Sequence, residues 1–309
     1  MKQECDVAII GGGPAGISAL IWCYSLGLRG VLLEQAPQLG GQLMELFHQV
    51  VDYPGLPSQN GMALRDSLVS HLRELELSPL LSSPIKDLSL SKREIAVDTD
   101  SLSATAIVIA TGARKRRLDI PGESALEGKG VSFSATRDHD AFKGKRVCVV
   151  GGGDSAVEGS LTLAKVCESV TLILRSDRPT ARHEWLDAVS QDNRISVRTN
   201  TVVTQILGES TVTGITVINS KTGEEESLET DGVFIRVGIT PNSEPFRDQL
   251  TLDREGYIQT DQKQRTPIPM VYAAGDICRP RCFSVATAVG QAAIAVKDIA
   301  ENLKSASLK

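Results

Sequence analysis

The sequence predicts an α/β chain of two Rossmann-like nucleotide-binding domains, and an internal echo is the main reason. Asp6-Val7-Ala8-Ile9-Ile10 runs into Gly11-Gly12-Gly13-Pro14-Ala15-Gly16, and Arg146-Val147-Cys148-Val149-Val150 runs into Gly151-Gly152-Gly153-Asp154-Ser155-Ala156. Each is an apolar strand, a glycine turn and a helix-compatible stretch, closed by a second strand. One such fingerprint is a weak signal; two in strand–turn–helix context are strong. The βαβ order implies a parallel sheet with right-handed crossovers, covered by helices as a three-layer domain. Length agrees, since 309 residues suit about two domains, and 41% hydrophobic residues give each a core.

In chain order, the first module continues through a helix over 17–26 and a strand over 30–34. A further strand lies within 104–113. The second module continues through a helix over 157–167 and a strand over 169–174. Val271-Tyr272-Ala273-Ala274-Gly275-Asp276 follows near the end. A last helix carries Val285, Ala288, Val289, Ala292, Val296 and Ile299 at helical spacing. No low-complexity segment or long linker interrupts this order.

Bulk properties exclude several function classes. A net charge of -5 and 4% aromatics argue against nucleic acid and anionic lipid as partners. No apolar stretch approaches the length of a membrane span, and the N-terminal apolar strand is too short for a signal peptide. A soluble cytoplasmic protein is expected. The four histidines show no metal-ligand spacing, so no metal is expected. Arg114-Lys115-Arg116-Arg117, the one basic run, directly follows a predicted strand. It reads as a solvated hinge, a nucleotide-phosphate contact or a dock for an acidic protein, not as a nucleic-acid site. Cys5, Cys23, Cys148 and Cys167 fall within predicted strands or helices, where buried thiols are usual.

The glycine loops carry the binding chemistry. Gly11 permits the tight turn, Gly13 lets the backbone approach a pyrophosphate, and Gly16 lets the helix pack on the strand. Pro14 and Ala15 open a helix whose free N–H groups and positive dipole end face the phosphates. Glu34, followed by Gln35, ends the second strand, where a carboxylate accepts hydrogen bonds from a ribose hydroxyl pair. In the second module Gly151, Gly153, Asp154 and Ser155 form the equivalent loop. Arg175 ends its second strand, and a cation there favours the 2′-phosphate of NADP.

Gly40-Gly41-Gln42-Leu43, Val51-Asp52-Tyr53-Pro54-Gly55, Ala110-Thr111-Gly112-Ala113 and Ala274-Gly275-Asp276 occur in the order seen in the thioredoxin reductase family. Over nearly its whole length the chain resembles this group of class II pyridine nucleotide-disulfide oxidoreductases. The resemblance implies FAD in a discontinuous domain, 1–113 with 246–309, and NADPH in the inserted domain, 114–245. It places Gly41, Gln42 and Asp52 near the flavin ring, and Ala110, Thr111 and Gly112 over the adenine half. Gly275 and Asp276 would meet the ribityl chain, and Ser284 and Val285 the pyrimidine end of the ring. Arg175, helped by Arg178 or Arg182, would hold the 2′-phosphate. It also implies a homodimer and domain rotation.

The sequence departs from the family at one chemical centre. The Cys-x-x-Cys expected before the second glycine loop is replaced by Ser134 and Arg137, which cannot exchange disulfides. Asp138, matching the family's proton-donating acid, then reads as a surface carboxylate. Cys278-Arg279-Pro280-Arg281-Cys282 follows Gly275-Asp276 and is the candidate redox pair, with flanking arginines and a helix N-terminus expected to lower the thiol pKa values. The leading reading is electron transfer between FAD and a disulfide through Cys278 and Cys282, with a small thioredoxin-like or ferredoxin-like protein as partner. Two alternatives stay open: a diflavin or ferredoxin-linked oxidoreductase with a second FAD in place of NADPH, and a non-catalytic flavin-binding sensor.

Overall fold

The computed structural model describes residues 2–97 and 100–307. They form two compact units, one running up to Arg114 and resuming at Thr240, the other spanning Lys115–Ile239. The return lies ahead of residue 246 because the chain is already committed to the first unit there. Asn242 bonds to Thr111 and Gly112, and Phe246 is fully buried.

The first unit holds β1 (Lys2–Ile10), α1 (Pro14–Ser25), β2 (Gly30–Leu33), α2 (Gly61–Glu74), β3 (Ile85–Ser89), β4 (Glu94–Val97) and β5 (Asp100–Ile109). The short strand β6 (Ala113–Lys115) carries the chain out. The second unit holds β7 (Val131–Ser132), α3 (Ala135–Asp138), β8 (Arg146–Val150), α4 (Asp154–Ala164), β9 (Ser169–Ile173), α5 (His183–Gln191) and β10 (Ile195–Arg198). It continues through β11 (Thr201–Leu207), β12 (Gly214–Asn219), β13 (Glu225–Glu229) and β14 (Gly232–Ile235). The strand β15 (Ile239–Pro241) brings the chain back, and β16 (Val271–Ala273) and α6 (Val285–Ser307) complete the first unit.

In the first unit β2, β1, β5 and β16 are parallel neighbours. The β3–β4 hairpin extends the sheet antiparallel along the other half of β5. In the second unit β10-β9-β8-β14-β7 is wholly parallel, and β11-β12-β13 forms a separate antiparallel sheet. The central strands are buried on both faces, which is why they read as continuous apolar runs. Successive residues of β1 serve opposite cores. Val7 and Ile9 pack with Ala292, Val296 and Ile299 of α6, while Ala8 and Ile10 pack with Ile107, Phe246 and Ile277. Val147 and Val149 of β8 likewise face α4, while Cys148 and Val150 face β11 and β12.

The helices begin earlier than the apolar periodicity suggests. Proline occupies the first turn of α1, where its missing N–H is no loss. The two glycine loops are built alike. Gly11 N donates to Leu33 O and Gly151 N to Ile173 O, both at 2.9 Å. The loops are backed by Gly40 N on Gly12 O at 2.9 Å and Thr180 N on Gly152 O at 2.7 Å.

Candidate functional site

Each first-loop glycine has a separate physical reason. Gly11 has φ +108°, and a β-carbon there would lie 2.5 Å from Ala110 O. One on Gly16 would lie 1.8 Å from Gly11 O, so the helix could not close on the turn. One on Gly13 would meet nothing within 4 Å. Gly11 and Gly16 therefore serve the fold, and Gly13 leaves open space beside the N-terminus of α1. The Glu34 carboxylate accepts from Gly12 N at 2.6 Å and Ala36 N at 2.7 Å, which fixes it against the loop; Gln35 is exposed.

Distant segments converge on the same space. The Gly41 backbone, at φ +51°, lies against Gly13. Gln42 Nε2 donates to Asp276 Oδ2 at 2.6 Å and approaches Gly112. Burial raises the Asp276 pKa against the opposing effect of that bond. Gly275, at φ +84°, packs against Ala15 and donates to Gln291 Oε1. Asn242 ties down Thr111, donating from Nδ2 to Thr111 O and accepting Thr111 Oγ1 on its carbonyl. Ser284 caps α6 by accepting from Thr287 N, and Val285 packs beside Leu43. Asp52 is exposed and has no hydrogen bond or ion pair among the described residues.

The second loop repeats the device with one change. Gly151 has φ +141°, and a β-carbon on Gly153 would again meet nothing within 4 Å. Where Gly12 faces Glu34, Gly152 faces the buried Leu174, so the ribose-binding acid is absent and Arg175 comes one residue later. Arg175 and Arg178 are exposed, and their guanidinium groups have no partner among the described residues. Arg182 instead stacks on Trp185 and pairs with Asp154, so these two expected binding residues satisfy each other. Ser155 lies exposed in the first turn of α4.

The segment replacing the Cys-x-x-Cys is a closed polar lock. Ser134 is buried and caps Arg137 N. Arg137 grips Asp138 through Nε at 2.6 Å and Nη2 at 2.7 Å, and Ser132 Oγ donates to the same carboxylate at 2.5 Å. Burial would raise the Asp138 pKa, but Arg137 and Ser132 outweigh it and hold the group below its usual range. Asp138 is thus a half-buried, ion-paired carboxylate, less exposed than the surface carboxylate expected. The basic run is likewise absorbed locally. Arg114 pairs with Glu244, Arg116 with Ile239 O, and Arg117 with Glu123 and Glu127.

All six cysteines are free. Cys5, Cys23, Cys148 and Cys167 are buried, with thiol pKa values pushed up to about 11 or 12, burial being the main cause. Cys278 packs against the core beside Asp276, and Cys282 is exposed. The expected lowering of thiol pKa fails at Cys278, where burial pushes the value up to about 12. Arg279 cannot counter it, because it is turned onto Asp253 and Glu255.

The model of the pyridine nucleotide-disulphide oxidoreductase family matches residues 5–292. The chain belongs to this family. It is 37% identical to the thioredoxin reductase of Mycolicibacterium smegmatis over 299 residues, covering 95% of this chain and 94% of that protein. It is 34% identical to the thioredoxin reductase of Listeria monocytogenes over 314 residues, covering 98% of each. The structure of Lactococcus lactis thioredoxin reductase superposes with a TM-score of 0.82 at 32% identity, covering 96% of this chain and 98% of that one. As a thioredoxin reductase-like member, the chain is a flavin-dependent disulfide oxidoreductase with two Rossmann-like domains, and the family implies FAD and NADPH. The open space over Gly13 and Gly153, each beside a helix N-terminus, leaves room for the diphosphate of such a group. The likenesses support neither a second FAD nor the ferredoxin-linked and sensor alternatives.

Sequence reasoning found the loops but missed Asn242, Gln291 and Arg236. Asn242 holds Thr111 and Gly112, Gln291 accepts from Gly275 N, and Arg236 donates to Ser155 O beside the second loop; no local spacing marks these contacts.

Proposed function

We propose that the first unit binds FAD, the second binds NADPH, and Cys278 with Cys282 forms the redox pair in place of the family's Cys-x-x-Cys. The observation that carries this is the distribution of thiols. Cys282 is the one exposed cysteine, and Cys278, four residues away and beside Asp276, is the one half-buried cysteine; the other four are sealed in cores. Bound FAD supplies a two-electron carrier between the pyridine nucleotide and a dithiol.

The two thiols divide the exchange with an external disulfide. Cys282 Sγ, as thiolate, attacks one sulfur of the substrate, and the other leaves as a thiolate that takes up a proton. Cys278 Sγ then loses its proton and attacks the mixed disulfide. That releases the second substrate thiol and leaves a Cys278–Cys282 disulfide. The raised Cys278 pKa makes this second attack the pH-sensitive one. Its rate should climb about tenfold per pH unit through neutrality, because the thiolate fraction does. A thioredoxin-like disulfide protein is the partner we propose, with the enzyme acting as a cytoplasmic homodimer, by likeness to the thioredoxin reductases. No helix among the described residues is long and apolar enough to cross a membrane.

The test is the pair of single serine variants, each first checked for bound flavin. Cys278→Ser should trap a mixed disulfide on Cys282, visible as added mass under non-reducing conditions, and Cys282→Ser should trap none. Full disulfide turnover by the double variant would show that electrons leave by another route.

A further inference from the structure

The internal repeat allows the two nucleotide loops to be compared residue by residue, and one position stands out. Ala110 N donates to Ile10 O at 2.8 Å, and Arg236 N donates to Val150 O at 2.8 Å. A β-carbon on Gly11 would lie 2.5 Å from Ala110 O, and one on Gly151 would lie 2.2 Å from Arg236 O. Ala110 and Arg236 therefore occupy the same place, directly against the first glycine of each loop. The first unit has a methyl group there and the second a guanidinium.

The Arg236 side chain lies along the second loop. Its Nε donates to Ser155 O at 3.3 Å, in the first turn of α4, and its Nη1 donates to Phe133 O at 2.8 Å. Both acceptors are neutral carbonyls. No carboxylate among the described residues forms an ion pair with it, and Glu158 acts only at longer range. Burial lowers its pKa from the usual arginine value, the mark of a cation drawn out of water without a counter-charge. A partly desolvated cation that lacks an anion is costly unless one arrives. The open space over Gly153 and the positive end of α4 adjoin it, and a guanidinium fork matches phosphate oxygens.

We propose that Arg236 is a counter-ion for the diphosphate of the dinucleotide in the second unit, a charge that the first unit's loop does without. The assignment rests on the second unit binding NADPH, as proposed above. It separates two tasks. The exposed Arg175 and Arg178 stand at the end of β9, where the adenosine 2′-phosphate would be read, and Arg236 stands at the loop, where the diphosphate would lie.

The test uses the full-length, flavin-loaded chain. NADP⁺ and 2′-AMP, which lacks a diphosphate, are titrated by calorimetry into the wild type, Arg236→Met and Arg236→Lys. The Met variant should weaken NADP⁺ by about tenfold, the typical effect of a lost charge-assisted hydrogen bond, and leave 2′-AMP within twofold. The Lys variant should recover most of the loss. An unchanged NADP⁺ affinity in Arg236→Met would overturn the assignment, and so would equal weakening of both ligands, which marks a structural role. If Arg236→Met does not fold, Arg236→Gln is judged by the same ratio. Failure of the wild type to bind NADP⁺ at all would remove the NADPH reading of the second unit, and this assignment with it.

Discussion

At the scale of single residues, glycines with the same spelling do different work. Gly16→Ala should prevent stable folding, because the new methyl group would need the space of Gly11 O at 1.8 Å. Gly13→Ala should fold with the melting temperature of the flavin-free wild type, since its φ of -76° suits alanine and nothing lies within 4 Å. It should nonetheless lose bound flavin, because its methyl group points into the cradle. Thermal melting and flavin absorbance per chain, measured on both variants, check the division. Spacing made the glycines and their separate roles legible in the sequence, but the distances that enforce those roles were not. The same holds for Leu174 and Arg175, where only the pairing of Gly152 with Leu174 shows which residue stands in place of Glu34.

At the scale of elements, α6 shows both the reach and the limit of periodicity. Its apolar stripe, from Ala288 to Ile299, was readable as a helix face, and it packs in one core with α1, β1 and β5. Asp298 interrupts that stripe and is 4% exposed; Asn302, one turn on, donates to it, but Tyr272 and Arg265 reach it from 26 and 33 residues away, beyond any local pattern. Arg265 grips it at 2.6 and 2.7 Å, Tyr272 donates at 2.8 Å, and Lys263 lies 3.1 Å away. Burial favours the neutral acid, but these partners outweigh it and bring the pKa down to about 2. A depressed folded-state pKa stabilises the fold above the unfolded value near 4, and the gain disappears as pH falls towards 2. Urea unfolding between pH 5 and pH 2.5 should show Asp298 contributing about 2 kcal/mol at the upper end. Asp298→Ala should cost about 2 kcal/mol at pH 7 and flatten that part of the profile, because the stabilised carboxylate and its bond from the buried Tyr272 hydroxyl are both lost.

At the scale of the whole molecule, the two units differ in continuity. The second is one uninterrupted stretch with its own two cores. The first needs β16 and α6 from the far end of the sequence to cover β5 and α1. Expressed alone, residues 115–239 should melt cooperatively by circular dichroism, and residues 1–114 should not. The echo of glycine loops revealed two units, and the resemblance revealed that one is split. The resemblance also marks a return crossing near residues 238–242, and the chain joins the first unit there because Asn242 and Phe246 pack against segments over a hundred residues earlier. The split also sets an order of completion during translation. The inserted unit can close while the ribosome is still adding the remaining residues, but the unit that begins the chain has to wait for the last helix. At elongation rates of about 5–20 residues per second the interval from residue 115 to residue 299 is roughly ten to forty seconds. Through that time the nascent β5 holds Ile107, Val108 and Ile109 without their final strand neighbour, which makes this the period when the newborn chain most needs a chaperone.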